Sequence, residues 1–202
     1  MISIGVEEGV FQMKENKMIQ NLIKLDKVKS QSIMTPRTVV ATAPESMSLK
    51  EFYQDGKYKF YSRIPIYNDS EDYITGYVLR QTVLEKLAED RFDMCLKDVA
   101  RPILSFPENS SVSTVWEQML EKKEHISILI DEYGCFWGIV TMEDIIETAL
   151  GFEIVDEKDS VTDMQKLARD KWQKKLAETK IRKVCHNAVL SQFSSSREEE
   201  YP

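Results

Sequence analysis

Two stretches of this 202-residue chain match in register, and that self-similarity restricts the fold more than any other feature. Ala43-Pro44-Glu45-Ser46-Met47-Ser48-Leu49 is followed sixty-three positions later by Phe106-Pro107-Glu108-Asn109-Ser110-Ser111-Val112. Each places a Pro-Glu turn ahead of a serine that heads a helical pattern, Ser48 before Leu49 to Phe52 and Ser111 before Val112 to Lys122. Farther on, Ile74-Thr75-Gly76-Tyr77-Val78 has its counterpart sixty-two positions later in Phe136-Trp137-Gly138-Ile139-Val140. Both are short apolar strands interrupted by a glycine. Both run into helical patterns, Val83-Leu84-Leu87 in one case and Ile145-Ile146-Ala149-Leu150 in the other. Ile64 to Tyr67 and Ile126 to Ile130 fill the remaining strand position.

Each unit therefore reads strand, helix, strand, strand, helix. The predicted class is α+β: two pseudo-symmetric repeats, each a three-stranded sheet with two helices, plus flanking helices. The predicted divisions are a connecting helix in 1–30, the first repeat in 31–92, the second in 93–155, and a helix with a polar tail in 156–202. Glu7 to Val28 places Phe11, Met18, Ile19, Leu22 and Ile23 near one helical face, and Val161 to Ile181 carries Met164, Leu167, Ala168, Trp172 and Leu176. Ala88 to Asp98 joins the repeats without a Pro/Gly/Ser-rich linker. One unit alone buries little apolar surface. Two copies packed together relieve that shortage and leave a cleft between them. Outer helix faces remain, with Phe52, Val83, Leu84, Val115, Trp116 and Met119 as apolar candidates. Two-fold pairing into a homodimer is the expected way to cover them.

The formal net charge of -7 argues against a nucleic-acid partner and against broad adhesion to an anionic membrane. Cys95, Cys135 and Cys185 are odd in number and form no CxxC pair, which fits a reducing compartment. No apolar run approaches bilayer-spanning length, and no basic-then-apolar leader opens the chain. The expectation is a soluble, cytosol-type polypeptide. His125 and His186 have no companion at ligand spacing, so no metal site is predicted. There is no Walker-type Gly-Lys-Ser/Thr, no GxGxxG and no Ser-His-Asp set, so no catalytic residue is nominated.

The sharpest local motif is Gly138-Ile139-Val140-Thr141-Met142-Glu143-Asp144, where a strand passes directly into a helix. One reading is a helix cap: Thr141 at the N-cap, Asp144 three residues on closing a capping box and facing the positive end of the helix dipole. The other uses the same geometry for a ligand. The junction offers free backbone N–H groups to a phosphate, and a carboxylate at that spacing can accept from two ribose hydroxyls. Physical chemistry alone leaves both open.

The repeat, with Gly-apolar-apolar-Thr-x-x-Asp closing its second copy, resembles a tandem pair of cystathionine-β-synthase (CBS) domains, the Bateman module. Three further segments narrow the resemblance. They are Ile33-Met34-Thr35-Pro36-Arg37, Tyr61-Ser62-Arg63-Ile64-Pro65-Ile66-Tyr67, and Gly151-Phe152-Glu153-Ile154-Val155-Asp156-Glu157. Together these resemble the CorC/HlyC (hemolysin-like) and CNNM family of membrane proteins linked to magnesium and cobalt transport. The resemblance implies an adenine nucleotide, ATP or AMP, bound between the repeats. Thr141, Asp144, Ile139 and Glu143 would contribute from the second repeat. From the first, Tyr61 would lie near the base and Arg63 near phosphate, with Ser62 and Pro65 beside them. Thr35 and Pro36 would approach the adenine, although a proline holding an extended approach to the first strand is a sufficient structural role. It also implies that the chain is a cytosolic piece of a longer protein whose membrane domain is a partner. Mg²⁺ would accompany the nucleotide if carboxylates of the run Glu143, Glu147, Glu153, Asp156, Glu157 and Asp159 assist; a solvated acidic face explains the same run.

In the first repeat the motif positions hold Gly76, Leu79 and Thr82, with no hydroxyl and no carboxylate where the second has Thr141 and Asp144. One nucleotide site per chain is therefore expected. The rival from a different class is an interaction module that dimerises and binds no nucleotide.

Overall fold

The computed structural model describes residues 13–152. The predicted helix at Val161 to Ile181, the polar tail, Phe11, Cys185 and His186 lie outside them. The described chain begins with α1 (Met13–Lys24), a short helical turn at Leu25–Lys27 and another at Ser30–Ser32. The first half contains β2 (Ala43–Pro44), α2 (Leu49–Gln54), β3 (Arg63–Tyr67), β4 (Ile74–Leu79) and α3 (Arg80–Ala88). The second contains β5 (Leu104–Pro107), α4 (Val112–Lys122), β6 (Ile126–Ile130), β7 (Phe136–Thr141) and α5 (Met142–Leu150). β1 (Thr35–Pro36) precedes both. The fold is α+β, with the predicted element order in each half.

The matched serines explain where the helices start. Ser48 caps α2 in a full capping box with Glu51, and the Ser111 hydroxyl accepts the Thr114 N–H at the head of α4. In each half a parallel pair precedes an antiparallel one: β2–β3–β4 in the first, β5–β6–β7 in the second. The helices cover one face of each sheet. Ile64, Ile66 and Val78 pack with Leu49, Phe52 and Val83 in one core. Leu129 and Val140 pack with Val112, Val115, Met119 and Ile145 in the other. Phe52, Val83, Val115 and Met119 thus belong to the interior, not to the outer faces expected for dimer contact. Their spacing marks an amphipathic helix without saying what its apolar stripe meets. The outward apolar residues on these helices include Leu84, Leu120 and Ile146. On α1, Met18 and Ile19 are half-buried, whereas Leu22 and Ile23 are exposed.

The halves do not coincide with the divisions at 31 and 93. The segment leading into each repeat crosses to the other one. Leu25, Val28, Ile33 and Met34 pack into the second half's core, and Met94, Leu96 and Val99 into the first half's. β1 is the visible end of this crossing. It pairs antiparallel with β7, Thr35 opposite Ile139 and Pro36 opposite Gly138, and makes the second sheet four-stranded. Thr35 and Pro36 therefore extend the second sheet and do not lead into the first. At the matching place Arg101 pairs with Tyr77 of β4, exchanging two backbone hydrogen bonds of 2.8 and 3.0 Å.

The repeated glycines exist for these crossings. A Cβ on Gly138 would stand 2.6 Å from the Thr35 carbonyl oxygen, and one on Gly76 would stand 2.6 Å from that of Arg101. Backbone cannot yield as a side-chain tip can. Gly76→Ala and Gly138→Ala should each destabilise the chain by about 1–3 kcal/mol in urea unfolding. Gly56→Ala, where a Cβ meets nothing within 4 Å, should stay within about 0.5 kcal/mol of wild type.

Candidate functional site

Strand β7 ends at Thr141 and α5 starts one residue later, so the cap and the first helical turn sit at a sheet edge. The capping box is complete. The Asp144 Oδ2 accepts from the Thr141 N–H and from its hydroxyl, both at 2.7 Å, and Thr141 Oγ1 accepts from the Asp144 N–H at 3.3 Å. Glu51 closes the same kind of box with Ser48, yet the two carboxyls shift in opposite directions. Glu51 is in water, and its bonds to Ser48 hold it below the usual carboxylate range. Asp144 retains some exposed surface but is crowded by protein, and desolvation pushes it up to about 6 against the same favourable bonds from Thr141; Glu147 and Glu143 add to the rise. A cap does not need that burial.

Strand alternation distributes the other predicted site residues. Thr141 pairs with Ile126, Ile139 with Ile128, and Thr35 with Ile139, so these side chains share the sheet face turned away from the helices. Ile126 and Ile128 are nevertheless buried, and neither belongs to a helix-side core. In the first half the corresponding face carries Arg63 opposite Leu79 and Pro65 opposite Tyr77. The two faces meet: the Tyr77 hydroxyl donates to Glu124 Oε2 at 2.6 Å, and Asp72 and Phe136 join the halves through a 2.7 Å backbone hydrogen bond. Arg37 adds a 2.6 Å bond to Asp72. Arg63 is two residues from Pro65, the strand partner of Tyr77, and on the same face, which puts it beside that junction. Tyr61, Ser62 and Glu143 are exposed, whereas Thr35 and Pro36 are half-buried. Thus Thr35, Ile139 and Thr141 line one inter-repeat face, Arg63 and Pro65 the other.

The first half departs from this pattern as its motif predicts. α3 starts at Arg80, and Leu79 at its N-cap makes no side-chain cap. Sequence reading missed Tyr77, Arg101 and Glu124. The Tyr77 ring is buried beneath Arg101, whose guanidinium lies 5.9 Å from the ring centroid and 3.7 Å from Glu124. A signal existed in Arg101-Pro102, which repeats the Thr35-Pro36 dipeptide ahead of the other half. Among the described residues no group of three His, Cys, Asp or Glu could hold a metal ion, and no helix is long and apolar enough to cross a membrane.

Two sheets facing each other, each flanked by helices and each paired with backbone from the other's leader, have the architecture of a CBS-domain pair. A sequence model of the CBS domain matches residues 96–151. The magnesium and cobalt efflux protein CorC of Buchnera aphidicola (subspecies Baizongia pistaciae) is 29% identical over 79% of this chain and 56% of its own length. The solved CBS domain of the bacterial CNNM/CorC family Mg²⁺ transporter is 28% identical with a TM-score of 0.72, covering 77% of this chain and 94% of that one. A second structure of that domain, in complex with ATP, is 29% identical with a TM-score of 0.65, covering 69% and 99%. The described residues accordingly have the fold of a CBS-domain pair, similar to those of the CorC and CNNM relatives. The chain spans about half the length of the curated relatives it matches.

The raised Asp144 value has a thermodynamic consequence. The group binds its proton more tightly when folded, so its contribution to stability is greatest in acid and is lost as pH rises through about 6. Asp144→Asn cannot titrate there. Between about pH 4 and pH 7 the wild type should lose roughly 2 kcal/mol relative to Asp144→Asn in urea unfolding. A difference that does not change with pH would show that Asp144 is not desolvated.

Proposed function

We propose that this CBS pair is a regulatory module, not an enzyme, and that it binds an adenine nucleotide, ATP foremost, between its halves. The observation that carries the reading is the desolvated Thr141–Asp144 box at the inter-repeat edge, with Arg63 on the apposed face. The ATP complex of the related CBS domain supports it. Asp144 accepts the ribose hydroxyls, replacing in part the bonds that Thr141 now supplies. The α5 N–H groups and Thr141 hydroxyl approach phosphate. A net charge of -7 offers a polyphosphate little long-range attraction, so a local cation is needed; Arg63 supplies it, and its planar fork suits two phosphate oxygens. Tyr61 takes the base with Thr35, Pro36, Ile139 and Pro65 around it, Ser62 lies alongside, and Glu143 is within the same first turn for a Mg²⁺ carried by the phosphates.

Regulation follows if the nucleotide prefers one arrangement of the halves. α5 begins at the site and packs against α1, so a shift in α5 reaches the helix through which a membrane domain would be attached. The proposed setting is the cytoplasmic side of a divalent-metal transport protein, with the module paired to a second copy through Leu84, Leu120 and Ile146. Light scattering at high micromolar concentration should give twice the chain mass; a monomer would remove the pairing.

The second reading is an interaction module without a nucleotide. It is favoured by the completeness of the Thr141–Asp144 box, which satisfies itself. Calorimetric titrations separate the two. Asp144→Ala should weaken ATP and adenosine alike by about 1.5–3 kcal/mol, roughly ten- to a hundredfold. Arg63→Ala should weaken ATP far more than adenosine, and Thr82→Ala should change neither. Wild type that binds no adenine nucleotide, in titration or thermal-shift screening with and without Mg²⁺, leaves the interaction reading.

A further inference from the structure

The two leaders cross to matching positions, so the chain contains two related inter-repeat corners. Pairing fixes the correspondence. Thr35 stands opposite Ile139 as Arg101 stands opposite Tyr77, and each carbonyl closes on the glycine one residue earlier, Gly138 or Gly76. Ile126 begins β6 opposite Thr141 as Arg63 begins β3 opposite Leu79, which makes Glu124 the counterpart of Tyr61. The candidate nucleotide corner thus has Thr35, Ile139 and Tyr61 where the other has Arg101, Tyr77 and Glu124.

The same three positions behave differently in the two corners. Tyr61 is exposed, and Thr35 and Ile139 are half-buried. Tyr77 is only 2% exposed, donates to Glu124 at 2.6 Å, and lies under the Arg101 guanidinium, which also approaches Glu124. A planar ring, a hydrogen bond from its edge to a carboxylate and a cation over its face are the contacts expected of a bound aromatic ligand. We propose that Tyr77 is a built-in occupant of the second inter-repeat pocket, a phenol held by Glu124 and Arg101 that closes this corner and leaves only the Thr141 corner open to a ligand. The clasp reaches the open corner through the backbone, because Glu124 precedes His125, whose carbonyl accepts the Met142 N–H at the first residue of α5. Burial and the Glu124 bond push the Tyr77 hydroxyl up to about 12, so it remains a neutral donor at physiological pH. The single-ligand part of this inference rests on the proposed nucleotide reading; the filled pocket does not.

The test uses the full chain and p-cresol, which reproduces the tyrosine side chain. Tyr77→Ala should lose thermal stability and regain at least half the lost shift with millimolar p-cresol, while wild type should not respond. If Tyr77→Ala does not fold unaided, its refolding yield with and without p-cresol gives the same decision. Tyr77→Phe should retain the ring, lie between wild type and Tyr77→Ala, and respond little to p-cresol. A Tyr77→Ala chain indifferent to p-cresol, or a wild type that responds equally, overturns the filled pocket. ATP titration of wild type should saturate at one per chain; two per chain overturns the closure even though nucleotide binding holds. No ATP binding overturns the nucleotide reading alone and leaves the p-cresol result decisive for the pocket.

Discussion

The structure depends on two places where backbone meets backbone without an intervening side chain. The carbonyls of Thr35 and Arg101 close on Gly138 and Gly76 at distances no Cβ would tolerate. Each contact lets the leader of one repeat add to the sheet of the other. The cores are assembled accordingly, Leu25 and Met34 in the second and Leu96 in the first. Neither half contains all of its own core when counted by sequence, so the two are committed to one another. The inter-repeat corners are a result of that exchange.

Symmetry of backbone then permits asymmetry of chemistry. One corner has a hydroxyl and a carboxylate at a strand-to-helix junction, and the other has Leu79 and Thr82. The polar groups of the first are kept in place by their own hydrogen bonds and penalised by burial, as the opposite shifts of Asp144 and Glu51 indicate. A desolvated carboxylate is costly to keep ionised, and a ligand that donates further hydrogen bonds to its ionised form recovers some of that cost. The second corner puts an aromatic side chain, a carboxylate and a guanidinium into the same space.

Much of this was legible because it is written as short-range pattern. The Pro-Glu turns, Ser48, Ser111 and the Thr141–Asp144 spacing identify helix starts, and the matched glycines show that something approaches both strands. What approaches them was not legible. Thr35-Pro36 looks like the start of its own repeat, and only the register with β7 reveals that it belongs to the other sheet. Likewise Phe52 and Met119 have the periodicity of a face that could pack inward or against another chain, and periodicity does not state which. Tyr77 and Glu124 are far apart in sequence, and neither carries a local signal. Their relation exists only once the halves face each other.

Hydrogen exchange of the full chain with and without ATP tests the central claim most directly, because a ligand between the halves must be read by both of them. Bound ATP should slow exchange in two separate segments, Tyr61 to Arg63 and Thr141 to Asp144, and leave the amides around Tyr77 and Glu124 unchanged. Protection confined to one half, or centred on Tyr77 and Glu124, would contradict it.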